Sequence, residues 1–262
     1  MPDPSSAPPY VPGHGLLEGR TVLVTAAAGA GIGFATARRC VEEGALVAIS
    51  DRHERRLGEA AAELSALGGR EVLAIPCDVT STEQVDRLFD ETVRGLGRLD
   101  VAVNNAGLGG TTDIVDMTDE EWNAILEVSL GGTFRCTRAA LRHMIRQRSG
   151  VIVNNASILG WRAQRDQAHY AAAKAGVMAL TRTAAVEAAP HGVRVNAVAP
   201  SLAMHEHLSK VMPQDVLDDL VTKEAFGRPA EPWEVANVIV FLASDYSAYM
   251  TGEVVSVSSQ HP

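Results

Sequence analysis

The sequence predicts an α/β fold: one domain built on a single doubly wound parallel sheet, flanked by helices on both faces. Three observations predict it. Short apolar runs alternate with longer helix-forming stretches, the pattern of strands joined by crossover helices. The runs are apolar at nearly every position, as strands are when both faces are covered. The first run, Val22-Leu23-Val24-Thr25, opens into a glycine-bearing turn and then a helix, a form in which backbone can close on a phosphate. A length of 262 residues, 46% hydrophobic and 21% charged, suits one large domain with its own core.

Residues 1–15 carry five prolines and little apolar content and read as a flexible, disordered or loosely docked arm. The domain proper is 16–262. Strands are expected near 20–25, 45–50, 71–76, 99–104, 150–156, 193–198 and 253–257. Helices are expected near 31–43, 54–67, 82–95, 119–147, 168–189 and 231–243. The polar stretch of about 201–227 breaks the alternation and reads as a mobile helical lid. Cys40, Cys77 and Cys136 are scattered and odd in number, which suits reduced thiols. No apolar run reaches about 18 residues, and the start lacks the basic-then-apolar order of a secretory signal. A net charge of −9 argues against a nucleic-acid partner. A cytoplasmic enzyme is expected, with neither nucleic acid nor membrane as partner.

The chemistry gathers at Tyr170 and Lys174. Four residues apart, they share one helix face. A free phenol titrates near pH ~10, and a neighbouring ammonium favours the phenolate. Ser157 lies thirteen residues upstream, where the apolar strand Val151–Asn155 ends, and the carboxyl edge of such a sheet is where ligands bind. In the turn after Thr25, Gly29, Gly31 and Gly33 let backbone approach a pyrophosphate, with Ile32 between the last two. Asp51 ends the next strand, eighteen residues after Gly33, placed to accept from ribose hydroxyls. A further apolar strand leads to Asn104-Asn105-Ala106-Gly107.

In this order the residues resemble the short-chain dehydrogenase/reductase family, over roughly Leu17 to Ser258. The resemblance implies a Rossmann-like seven-stranded sheet of order 3-2-1-4-5-6-7 and NAD(P)-dependent interconversion of a secondary alcohol and a ketone. It assigns Tyr170 as general acid/base and Ser157 as the holder of the substrate oxygen. Lys174 would bind the nicotinamide ribose and depress the Tyr170 pKa. Thr25, the glycine turn, Asp51, Arg52, Asp78, Val79, Asn105, Ala106, Gly107, Pro200 and Ser201 would line the dinucleotide, together with Tyr170 and Lys174. A carboxylate at Asp51 repels a 2′-phosphate, which favours NAD. Arg52, next to it, keeps NADP as the alternative. Local roles compete with these: Asp78 as a helix cap before Ser81, and Ser157 as a turn cap.

Three places depart from the family pattern. Ala26 stands where the first glycine is usual, so that Gly29 is expected to supply the positive φ. Ser129 replaces the Asn that helps anchor a water chain, with shorter reach. After the sixth strand Ser201 stands where a Gly is usual, and the position of the usual Thr falls close to His205. His205-Glu206-His207 is not expected to bind metal, since adjacent residues rarely converge on one ion.

Leu108-Gly109-Gly110, Trp161-Arg162-Ala163-Gln164 and the lid should enclose the substrate, with Met204, Leu208, Met212 and Phe226 as an apolar wall. Arg162 and Arg165 could meet a carrier such as coenzyme A, or pair with Asp166. The stretches 23–29, 161–164, 225–228 and 256–262 further resemble an actinobacterial subgroup acting on a hydroxy-methylindanone carboxyl-CoA thioester in steroid C/D-ring degradation. Its members are often labelled 3-oxoacyl-[acyl-carrier-protein] reductases. Such an NADPH-dependent reductase is the alternative, and a non-catalytic dinucleotide-binding protein the remote one. The resemblance also implies a homotetramer, with 118–148 and 254–262 at its interfaces.

Overall fold

The computed structural model describes residues 6–204 and 214–259. Seven strands form one sheet in the order β3-β2-β1-β4-β5-β6-β7, with every pairing parallel. They are β1 Thr21–Thr25, β2 Leu46–Asp51, β3 Leu73–Pro76, β4 Val101–Asn104, β5 Gly150–Asn155, β6 Val193–Pro200 and β7 Val254–Val257. The helices are α1 Ile32–Glu42, α2 Glu54–Gly68, α3 Thr82–Leu96, α4 Asp119–Leu126, α5 Gly132–Gln147, α6 Ala168–Ala188, α7 Gln214–Thr222 and α8 Pro232–Ala243. The expected order of the sheet is the observed one.

Alternation along the strands divides the core into two layers. Val22 and Val24 pack with residues of α1, α2 and α8, among them Ala37, Leu64 and Ile239. Leu23 points the other way, to Leu88, Phe89 and Met144 of α3 and α5. Successive strands are laid to one side of β1 and then to the other. The crevice between the carboxyl ends of β1 and β4 is therefore the switch point of the sheet, where ligands bind in such folds.

The long helix expected over 119–147 is interrupted. A capping box of Thr118 and Glu121 starts α4, and a π-helical turn, Glu127–Gly131, separates it from α5. That turn holds Ser129, fully buried. Its Oγ accepts from Leu108 N at 2.9 Å and donates to Leu108 O at 3.0 Å. Single π turns of this kind occur inside α-helices, frequently at functional sites.

The described part of the N-terminal arm lies across α1 and α8. The Tyr10 ring meets Trp233 edge-on at 5.3 Å between centroids, and its hydroxyl donates to Glu42. Val11 O accepts from Arg39 at 2.8 Å. His14 N and Leu16 N both donate to Glu43 Oε2 at 2.9 Å. Glu43 is wholly buried and paired with buried Arg39 at 2.7 Å, so the arm completes the hydrogen bonding of a buried ion pair.

The segment after β6 is pinned at both ends. Ala203 bridges to Ala230, and buried Glu224 accepts from Leu202 N and from Ser259 Oγ. His205, Glu206, His207, Leu208 and Met212 lie outside the described residues. Among the described residues no helix is long and apolar enough to cross a membrane. None of their His, Cys, Asp and Glu side chains form a group of three or more able to hold a metal. All three cysteines are buried and free.

Candidate active site

Tyr170 and Lys174 stand on the first turns of α6, beside the ends of β4 and β5. Lys174 Nζ donates to Asn155 O at 2.7 Å and lies 5.5 Å from the centre of the Tyr170 ring. The Lys174 side chain is almost wholly buried, and that burial lowers its pKa from 10.5 to about 8. Ser157 follows β5 in extended conformation and caps a single 3-10 turn, accepting from Leu159 N at 3.2 Å. It is also hydrogen-bonded to Tyr170. Ser157 therefore has both its local role and a place beside the phenol.

The phenol does not behave as its spacing from Lys174 suggested. Burial raises the Tyr170 pKa, and the bond with Ser157 is what opposes the rise. The ammonium lies against the ring rather than the hydroxyl, and burial weakens its own hold on its proton. Desolvation therefore sets the direction of the phenol's shift.

The glycine turn meets one expectation and departs from another: Gly29 has the positive φ, and Ala26 has one too. Ala26 itself takes the left-handed conformation, with φ 51°, and Gly29 has φ 135°. Ala26 is held there by its neighbours. Asn105 Nδ2 donates to Thr25 O and Ala26 O, each at 3.1 Å. Thr25 Oγ1 accepts from Asn105 N and Ala106 N at 3.0 and 3.2 Å. Gly33 is required by close approach, since a Cβ there would lie 2.3 Å from Ala26 O. Gly31 caps α1 with no side-chain bond, and the first turn has no acid. The positive end of the helix thus meets the turn uncompensated by any side chain.

Asp51 accepts from Ala28 N at 3.3 Å and from His53 N at 3.0 Å, so its carboxylate is tied to the glycine turn. Arg52, Asp78 and Arg87 line a cleft of about 530 Å³ at the ends of β2 and β3. The Asp78 carboxyl is held below its usual value, chiefly by Thr80 N and also by Arg52. The cap of α3 is Ser81, which accepts from Gln84 N, and not Asp78. Val79 is buried against Gly132. Gly107 lies where a Cβ would come 3.4 Å from Lys174 Nζ and 3.7 Å from Ser129 Oγ. Pro200 ends β6, and Ser201 N donates to Val257 O.

Around this edge Leu108, Trp161 and Phe226 are exposed. Arg165 pairs with Asp113 at 3.2 Å and with Asp166 at 3.5 Å, so of its two expected roles the structure favours the local one. One residue of the site was missed in the sequence. Asn155 takes Lys174 on its carbonyl and donates from Nδ2 to Asn105 Oδ1 at 2.9 Å. Its signal was a second polar residue at the end of an otherwise apolar strand.

A phenol, a hydroxyl and a buried ammonium thus meet at this edge, near a glycine turn and a helix end without a side-chain cap. A family model described as enoyl-(acyl carrier protein) reductase matches residues 26–259. A Mycobacterium tuberculosis protein named (5R,7aS)-5-hydroxy-7a-methyl-1-oxo-2,3,5,6,7,7a-hexahydro-1H-indene-carboxyl-CoA reductase is 66% identical, over 98% of this chain and 99% of its own length. A Thermotoga maritima 3-oxoacyl-[acyl-carrier-protein] reductase is 39% identical, over 92% and 97%. A crystal structure of a short chain dehydrogenase from Mycobacterium smegmatis superposes with TM-score 0.89 at 61% identity, covering 99% of this chain and all of that one. The chain belongs to the short-chain dehydrogenase/reductase family. It is an oxidoreductase of the kind that works with NAD(P).

Proposed function

We propose that this oxidoreductase interconverts a secondary alcohol and a ketone on a bulky carboxyl-CoA thioester of the methylindanone type, with NAD as its dinucleotide. The observation that carries the substrate is the 66% identity, over nearly the whole of both chains, to a relative named for that compound. The residues fit a dinucleotide: the α1 terminus is free of a side-chain cap, and Gly33 leaves room for backbone alone. Asp51 stands at the end of β2, where its charge opposes a 2′-phosphate.

Bound in this cleft, the nicotinamide supplies the acceptor or donor of hydride. The protein handles the proton. In the oxidising direction Tyr170 Oη, as phenolate, takes the alcohol proton as the carbinol carbon gives up its hydride. Ser157 Oγ donates to the same oxygen and offsets the charge gathering on it. In the reducing direction Tyr170 returns the proton to the carbonyl oxygen. Ser157 is the group that favours the phenolate here, and Lys174, held on Asn155 O, reaches the nicotinamide ribose. Ser129 holds the substrate loop through Leu108 and borders Lys174 across Gly107. Thr25, Asn105 and Ala106 brace the turn. Gly29, Gly31, Ile32, Asp78, Val79, Pro200 and Ser201 line the dinucleotide.

Arg52 favours the second reading, an NADPH-dependent reductase of acyl-carrier-protein thioesters. We further assign a cytoplasmic homotetramer, with the hollow of Leu126, Leu130 and exposed Phe134 on α4–α5 at one interface.

Fluorescence titration with NADH and NADPH is the first test. Tighter NADH binding, with the preference narrowed in Asp51→Ala, supports the NAD assignment. Tighter NADPH binding moves the protein to the second reading. Turnover of the indanone thioester that is lost in Tyr170→Phe tests the chemistry, and no turnover with any secondary alcohol would leave only a binding protein.

A further inference from the structure

Asn155 joins the two halves of the site. It ends β5 two residues before Ser157, and its main-chain oxygen takes Lys174 Nζ at 2.7 Å. Its side chain faces the other half. Asn105 Nδ2 is pinned between Thr25 O and Ala26 O, which leaves the Asn105 amide one orientation, with Oδ1 toward Asn155. Asn155 must then present Nδ2, its only donor, and the bond is 2.9 Å long.

That orientation has a consequence for stability. Asn155 is 9% exposed, and its buried Oδ1 has no hydrogen-bond partner among the described residues. An orphaned buried acceptor destabilises a fold, and an apolar side chain of the same shape would avoid it. The amide is therefore kept at this position against packing. What it reaches is the Thr25–Ala26 turn, where Ala26 adopts a conformation that L-residues other than glycine resist.

We propose that Asn155 is a positioning residue for the dinucleotide: acting through Asn105, it holds the strained Thr25–Ala26 turn in its binding form and in register with Lys174. The inference rests on the dinucleotide-binding reading above. The pyrophosphate end of the cleft is then tied to the catalytic end by one residue, with no direct contact of the Asn155 amide to the ligand required.

The test compares dinucleotide dissociation constants by fluorescence titration, with thermal unfolding alongside. It uses whichever of NADH and NADPH the wild type binds more tightly. Asn155→Leu is close to isosteric, and it should weaken binding about fivefold, the worth of one neutral hydrogen bond. The melting temperature should fall by no more than about 4 °C, because the removed Asn155 orphan offsets the Asn105 Oδ1 that loses its donor and only the bond itself is lost. In an Ala26→Gly background, where the left-handed turn needs no holding, the same substitution should weaken binding by less than about twofold. Asn155→Val, at home in a strand, gives the same comparison should the leucine variant not fold. Unchanged affinity in Asn155→Leu overturns the proposal. So does an equal loss in both backgrounds, because Asn155 then does not act through the turn. Failure of the wild type to bind either dinucleotide sinks the underlying reading, and the proposal with it.

Discussion

Replacing Lys174 by Met should make the protein more stable and inactive. Lys174 is 3% exposed, and burial brings its pKa from 10.5 to about 8. Below pH 8 the folded protein carries a cation that the unfolded chain leaves in water. At about 1.4 kcal/mol per tenfold change in proton affinity, that charge costs the folded state roughly 3 kcal/mol near pH 6.5. Lys174→Met keeps an apolar stem and removes the charge. It also strips Asn155 O of its donor, a loss of about 1–2 kcal/mol. The balance is a gain of roughly 1–2 kcal/mol, or about 4 °C in melting temperature for a domain of this size. The pH dependence carries the sharper test. The folded pKa lies below the unfolded one, so between pH 8 and 10.5 the unfolded chain binds more protons and wild-type stability rises with pH. The contribution of Lys174 is complete above 10.5 and lost as pH falls through 8. Urea unfolding of both proteins at one fixed concentration, from pH 6.5 to 10, should show the advantage of the variant shrinking steadily above pH 8. A constant difference across that range would refute the reasoning, because Lys174 would then titrate in the folded protein as it does in water.

Ala26→Gly should raise stability by about 0.5–1 kcal/mol, as relief of the left-handed strain outweighs the added freedom of the unfolded chain; a lower melting temperature would show that the turn is unstrained. Deleting residues 1–12 removes Tyr10 from Trp233 and the Val11 carbonyl from buried Arg39, and should cost about 2–3 kcal/mol, read by urea unfolding; an unchanged midpoint would mean that the arm contributes no net stability. Ser129→Ala leaves both Leu108 main-chain groups without their hydroxyl and should lower stability by about 1–3 kcal/mol. It should also speed proteolysis in the 108–113 loop, and unchanged cleavage would argue against the tether.

The sheet was legible because its central strands are buried on both faces, and burial of that kind writes itself into composition. Val22, Leu23 and Val24 divide between two core layers, yet all three must be apolar, so the run announces the strand without any knowledge of its neighbours. Tyr170, Lys174 and Ser157 were legible through spacing, since helix pitch and strand end fix where they point. Ser129 was seen as a departure, but not as the centre of a π turn. One residue wound into a helix leaves the apolar pattern on either side intact, and the bond to Leu108 that accompanies it crosses 21 positions of chain. Ala26 was likewise seen, and Gly29 has the expected positive φ, but Ala26 takes one as well. Its strain is offset by Asn105, which is 79 positions away and cannot be paired with it by any local rule. The phenol shows where such reasoning stops in principle. Spacing sets the distance from Tyr170 to an ammonium, but the direction of a pKa shift is a contest between that charge and lost water. The amount of water lost depends on the packing of α6 against the sheet edge, which no interval along the chain records.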